Sequence, residues 1–170
     1  MVQYKAPHRE YEFILKEVLG IEQILGKYPE YKEASWDMIE MISEQFGKIN
    51  EEYWLTSNRE GDEIGAVFKD GNVTVPKRMK EASEMVIDSG LTQLFGHQKY
   101  GGMEFPNVLS VLSDEMSCST NMALGVYMGL TKGAYHCIHN YGSEEIKSTY
   151  LPKFISGEWF GTMCLTEAHC

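Results

Sequence analysis

Residues Gly142 to Cys170 read GSEEIKSTYLPKFISGEWFGTMCLTEAHC, and the change of pattern inside this stretch decides how the rest of the chain is read. Ser143 is a helix start: its hydroxyl can accept a free backbone N–H. Glu144 and Glu145 then sit at the positive end of the helix dipole. The helix is expected to run through Tyr150, with Pro152 bending or ending it and Gly157 closing the segment. After Gly157 the helical period is gone. EWFGTMCLT, with its aromatic, small and Thr residues, predicts a strand. A strand standing alone leaves its backbone N–H and C=O groups unpaired. Its neighbours are either the segment AVFKDGNVTV, a second copy of the chain, or a sheet the chain does not hold. The adopted expectation is the last, a chain cut from something longer.

Working upstream, Asn121 to Ile138 (NMALGVYMGLTKGAYHCI) is the most apolar stretch. Its length approaches a membrane span, but it contains Thr131, Lys132 and His136, and a charge at that depth is costly in lipid. A buried helix through Asn140, capped by Ser119 or Thr120, is expected instead. Gly125, Gly129 and Gly133 recur every fourth residue and so form one stripe. The missing side chains leave a groove for a packed helix or for an extended apolar ligand. Pro106 opens the preceding helix, with Val108, Leu109, Leu112 and Met116 inward, to about Ser117.

Further upstream, LFGHQKYGGMEFP reads as a loop punctuated by Gly101-Gly102. Pro76 opens a helix to about Gly90 with Met79, Ala82, Met85 and Val86 inward. Asp70-Gly71 suits a hairpin turn. NREGDEIG is expected to be loop. Ser35 caps an amphipathic helix from Trp36 to Trp54, its face built from Ile39, Ile42, Phe46, Ile49 and Tyr53. A short helix over 8–19 buries Tyr11, Ile14, Leu15 and Val18.

The chain has 170 residues and a formal net charge of −10. Such a surface repels phosphate backbones and anionic lipid, so neither nucleic acid nor membrane is an expected partner. Cys118, Cys137, Cys164 and Cys170 have no C-x-x-C spacing, and the start MVQYKAPHREYEF lacks an apolar leader core. Reduced thiols in a cytoplasmic setting follow. His136, Cys137 and His139, even with His169 and Cys170, lack recognised zinc spacing, so no metal is expected. A Cys–His nucleophile has nothing marking an oxyanion hole. No Walker A or G-x-G-x-x-G is present. Glu104, Asp114 and Glu115 read as solvated acids.

The order of features resembles the N-terminal part of the acyl-CoA dehydrogenases. The loop KYGGMEFP corresponds to that family's glycine-rich loop. Gly142, Lys147, Tyr150, Leu151 and Pro152 match its G-x-E-x-x-K-x-x-Y-L-P helix, with Glu145 one place after the pattern's glutamate, and Gly157 and Glu158 match the G-E after it. Leu165, Thr166 and Glu167 match the start of its L-T-E-P turn. Ala168 departs from the proline, and His169-Cys170 from the usual small pair. The start YKAPHREYEFILKEVLG resembles the extra segment of the subgroup with 3-methylmercaptopropionyl-CoA dehydrogenase-like enzymes.

The resemblance implies an all-α domain, the helical N-terminal domain of that fold, ending in the first strand of a middle β domain. Residues 1–34 would be the extension with its short helix, 35–157 the helical domain, and 158–170 the start of the β domain. It implies FAD as cofactor of the full-length enzyme, with Met163, Leu165 and Thr166 at the flavin. FAD is expected to bind poorly to this chain alone. It implies an acyl-CoA substrate desaturated to trans-2-enoyl-CoA, with Val126, Gly129, Leu130 and Gly133 along the acyl wall. An electron acceptor such as electron-transfer flavoprotein and a homo-oligomer are the implied partners. No residue of this chain takes the catalytic carboxylate's role by the resemblance. The other reading is a stand-alone helical interaction module without catalysis, for which the ten methionines offer an adaptable apolar surface.

Overall fold

The computed structural model describes residues 3–31, 34–166 and 168. Helix α1 (His8–Glu12) runs into a π turn over Phe13–Val18, and α2 covers Ile21–Leu25. Helix α3 (Trp36–Ile49) passes through a second π turn (Asn50–Trp54) into α4 (Leu55–Ile64). A hairpin of β1 (Val67–Lys69) and β2 (Asn72–Thr74) leads to α5 (Lys77–Asp88), α6 (Val108–Tyr141) and α7 (Glu144–Ile155). The architecture is helical, as expected, and its one described sheet is the two-stranded hairpin.

Local chemistry accounts for the boundaries. Ser35 Oγ accepts from Met38 N at 3.3 Å and Ser143 Oγ from Ile146 N at 3.3 Å, each satisfying an N–H the first helical turn leaves free. In the hairpin, Asp70 and Gly71 both adopt positive φ, the conformation a tight two-residue turn requires. Pro152 lies inside α7 and does not end it; the helix continues to Ile155. It replaces an N–H that would bond near Ser148, on an exposed turn where water can take the freed carbonyl.

Two expectations are corrected. NREGDEIG is helix, not loop. The inward row there is Trp54, Ser57 and Gly61, and small residues give no hydrophobic signal. Ser57 is fully buried with its hydroxyl donated to Trp54 O, and Gly61 lies so close to Met79 that a Cβ would meet its sulfur. In the first helix, Tyr11 and Leu15 are buried but Ile14 and Val18 are exposed. The π turn adds residues per turn and breaks the 3.6-residue row on which that face was drawn.

Helix α6 does not keep one direction. Asn121 has φ −154° and ψ 88°, outside helical space. Lys132 Nζ reaches Asp114 Oδ1 at 2.6 Å and Ser110 Oγ at 2.8 Å. In a straight helix, Asp114 and Lys132 would lie about 27 Å apart. The element is therefore a hairpin of two arms, α6a (108–120) and α6b (122–141). The sequence-based break at Ser119 or Thr120 falls within two residues of it.

The main core gathers α1, α3, α5 and α6a around Ile39, Trp54, Ala82, Leu109 and Met116. A second cluster holds Tyr135, Leu151 and Ile155, where α6b meets α7. No helix among the described residues is long and apolar enough to cross a membrane. Residues 158–166, expected as a strand, carry neither helix nor ladder among the described residues; β1 pairs with β2.

Candidate functional site

Where α6 folds back, its arms enclose space. A cavity of about 80 Å³ lies between α5, both arms of α6, α7 and the segment following it. Its apolar wall includes Trp54, Phe95, Met128, Tyr135, Phe154 and Phe160. Lys132 stands at its edge with its ammonium 4.7 Å from the Phe95 ring centroid and paired to Asp114. That pairing explains a lysine inside the most apolar stretch of the chain. Its alkyl stem packs on apolar surface and its charge is neutralised at the opposite arm. Thr92 Oγ1, on the same wall, is buried without a hydrogen-bond partner among the described residues.

One flank of the cavity is the glycine loop. Gly101 has φ +93°, and a Cβ on Gly102 would overlap the backbone of Gly96. The loop closes through Met103 N to Gln93 O (2.9 Å) and Phe105 N to Leu94 O (2.7 Å). It docks on α6b where His97 N donates to Tyr135 Oη at 2.8 Å. Burial, with lesser contributions from Tyr100 and Glu104, pushes the Tyr135 hydroxyl above its ordinary pKa, so it stays protonated. His139 stacks between Tyr135 and His97, 5.6 Å from each ring. Lys99 ties the loop to α7 through Glu144 at 2.8 Å, and Lys99, with Lys147, holds the Glu144 carboxyl below its ordinary range.

The segment after α7 helps wall the cavity and crosses α6b at Thr131 and Ala134. Gly157 turns with φ +74°, and Lys153 lies over the Trp159 ring at 4.6 Å. Gly161 N donates to Thr131 Oγ1 at 3.1 Å. A Cβ on Gly161 would sit 2.5 Å from Ala134 Cβ and 3.3 Å from Thr131 Cα. The segment therefore touches the helix at a point only glycine fits. Beyond it, Met163 and Leu165 are exposed, and so is Thr166.

The sequence-derived site residues are placed as follows. None of Val126, Gly129, Leu130 and Gly133 lines the cavity. The inner face of α6b is Met128, Thr131, Lys132, Tyr135 and His136. Val126, Gly129 and Gly133 are exposed, and a Cβ at either glycine would meet nothing within 4 Å. The stripe is thus divided: Gly125 faces Ser117 and Cys118 of α6a, while Gly129 and Gly133 open outward. Leu130 O lies beside Gly161, which meets α6b on its Thr131 and Ala134 side. Met163, Leu165 and Thr166 follow directly in that segment. Among the described residues no three His, Cys, Asp or Glu side chains converge as metal ligands. Cys118, Cys137 and Cys164 are free and exposed. Glu167, His169 and Cys170 lie outside the described residues. Thr131 and the Asp114–Lys132 pair carry the local geometry; the sequence marks Thr131 and Lys132 only as polar residues in an apolar stretch and Asp114 only as a solvated acid.

Comparison with known proteins bears on this arrangement. The family described as acyl-CoA dehydrogenase, N-terminal domain, matches residues 62–158. A 3-methylmercaptopropionyl-CoA dehydrogenase of Ruegeria pomeroyi is 32% identical over 164 residues, covering 96% of this chain and 28% of that protein. A butyryl-CoA dehydrogenase of Syntrophomonas wolfei is 34% identical, over 94% of this chain and 26% of its own length. The broad-specificity linear acyl-CoA dehydrogenase FadE5 of Mycobacterium tuberculosis is 27% identical, over 98% of this chain and 27% of its own. The chain spans about a quarter of the length of these relatives.

Proposed function

The chain belongs to the acyl-CoA dehydrogenase family, and we propose that it supplies one wall of an acyl site and the first contacts to a flavin. The reaction in which it takes part is FAD-dependent α,β-desaturation of an acyl-CoA thioester. A proton leaves the α-carbon and a hydride leaves the β-carbon, giving the trans-2-enoyl thioester. FAD, when bound, supplies the hydride acceptor. The base that takes the α-proton is not assigned to any residue of this chain.

One observation carries the reading: Gly161, seated at Thr131 and Ala134, starts the 162–166 segment on α6b, the same helix that bears the glycine stripe. These two features are what a flavin and an acyl chain reacting with each other need as neighbours. The segment suits a polar planar ring. Its backbone groups make no hydrogen bonds to other described residues and its side chains are exposed. Its free backbone N–H and C=O groups can meet the donors and acceptors on a ring edge. Thr166 contributes a hydroxyl able to donate to such a ring and help hold negative charge on it. On α6b, Gly129 and Gly133 leave open space along two helical turns, and Val126 and Leu130 give that space apolar edges.

The test is an NMR titration of the isotope-labelled chain with FAD and, separately, with 3-methylthiopropionyl-CoA, butyryl-CoA and octanoyl-CoA. FAD is expected to bind weakly, with a Kd of about 1 mM, and to shift amides of 161–166. The acyl-CoAs should shift Val126, Gly129, Leu130 and Gly133. Acyl-dependent shifts confined to the inner face at Met128, Lys132 and Tyr135, or no shifts with any ligand, would refute the assignment.

A further inference from the structure

The largest buried polar cluster in the chain lies at the vertex of the α6 hairpin, remote from the crossing segment. Asn50, Ser57, Thr120 and Asn121 are each at most 1% exposed. Asn121 Nδ2 donates to Ser57 Oγ at 2.9 Å, and Ser57 Oγ donates to Trp54 O at 2.8 Å. Asn121 Oδ1 accepts from Leu124 N at 3.2 Å. One residue back, Thr120 Oγ1 donates to Asn50 Oδ1 at 2.7 Å, while Asn50 Nδ2 donates to Phe46 O at 2.9 Å. Both partners on the other side belong to the π turn and the start of α4. The network therefore pins the bend in α6 to the place where α3 changes into α4.

From this geometry we propose that Asn121 is a positioning residue: it starts α6b and fixes the direction in which that arm leaves the vertex. Its backbone is extended, as at an N-cap, and its side-chain oxygen caps the new helix. Serine or aspartate could accept the Leu124 N–H equally well. An ionised aspartate has no donor for Ser57, whereas the asparagine amide supplies acceptor and donor at once. A cap alone would begin a helix in any direction; the tie to Ser57 selects one. Only a single residue interrupts helical geometry between the arms. The competing state is thus one straight helix that recovers the hydrogen bonds lost at the bend. Buried polar groups with few alternative partners discriminate against such a state, because straightening removes the donors that Asn50 Oδ1 and Ser57 Oγ accept from in the core. The outer stripe of α6b, which the proposed acyl wall uses, inherits its position from this vertex. The inference rests on that reading only for what the stripe does.

The experiment measures the bend directly. Spin labels are placed on Cys137 and on a cysteine at exposed Val111 (V111C), with Cys118, Cys164 and Cys170 replaced by serine. Folded back, the two sites lie under about 20 Å apart; along one straight helix they would be about 39 Å apart. The parent should give a single short distance. Asn121→Leu and Ser57→Ala should each add a population near the long distance while circular dichroism shows undiminished helix content. Ser57→Ala keeps the Asn121 cap intact, so it decides the matter if Asn121→Leu does not fold. A long distance in the parent, or a single short distance in every folded variant, overturns the proposal. No acyl-CoA or flavin is needed, so this result and the ligand titration can fail independently.

Discussion

Gly102→Ala tests whether the glycine loop is held by backbone contact. A Cβ at Gly102 would fall on the carbonyl, carbonyl carbon and Cα of Gly96, all backbone atoms. No rotamer change can relieve that overlap, so the two strands of the loop must separate. Four backbone hydrogen bonds hold them: Gly102 N to His97 O at 3.1 Å, Met103 N to Gln93 O at 2.9 Å, Glu104 N to Gly96 O at 2.9 Å and Phe105 N to Leu94 O at 2.7 Å. At about 1 kcal/mol net for each, opening half to all of the loop costs about 2–4 kcal/mol. Gly101→Ala is the control. Gly101 has φ +93° but open space where a Cβ would go, so it should cost only backbone strain of about 1–2 kcal/mol. Urea unfolding followed by circular dichroism measures both, read as a midpoint shift at constant m value. Amide exchange at His97 should quicken in Gly102→Ala because its bond to Tyr135 Oη sits on the displaced loop. A Gly102→Ala cost within about 0.5 kcal/mol of zero, or a larger cost for Gly101→Ala, refutes the backbone-contact argument.

Gly129→Ala should stabilise the chain by about 1 kcal/mol, since alanine is the better helix former and its methyl meets nothing. A lower urea midpoint would show that something covers this face. The other expectation concerns pH. Partial burial pushes the Glu51 carboxyl up, but hydrogen bonds from Lys5 Nζ (2.7 Å) and Ala6 N (2.9 Å) outweigh it and leave the pKa lowered. A depressed carboxylate stabilises the fold above its unfolded pKa, and that contribution is lost as pH falls through the folded value. The N-terminal segment should therefore loosen below about pH 4, seen as faster Ala6 exchange. Glu51→Gln should flatten that acid dependence, and a profile unchanged by the substitution would contradict the assignment.

What was legible in the sequence follows from where side chains are large. The row Ile39, Ile42, Phe46 and Ile49 announces α3 because each residue is apolar and faces the core. Ser35 and Ser143 announce helix starts because capping needs only a nearby hydroxyl. The chain becomes opaque at residues 50–61. There the inward groups are Asn50, Ser57 and Gly61, and the burial of the two polar ones is made possible by partners about 60–70 positions away in sequence. The π turn at the same place shifts the helical row, so a 3.6-residue template fails where the polar network begins. The bend at Asn121 and the π turn at Asn50 are one feature seen from two sides, and no local pattern links them.

The site divides in the same way. The glycine stripe was readable as a groove, since absent side chains at fixed spacing have a single geometric meaning. Which way the groove faces was not readable, because Met128 and Lys132 on one side and Val126 and Leu130 on the other are equally helical and nearly equally apolar. Lys132 resolves it only with Asp114 in view. Folding α6 back brings that carboxylate within 2.6 Å, and the lysine side becomes the interior. With Met128, Thr131, Lys132 and Tyr135 inward, Gly133 turns away from the cavity and Gly129 lies at its flank, both exposed. The crossing segment meets the Thr131 and Ala134 side of the same helix through a residue with no side chain, and Gly161 supplies it. A single ion pair therefore orients the stripe, and the hairpin that forms the pair decides which face of α6b an acyl chain could meet.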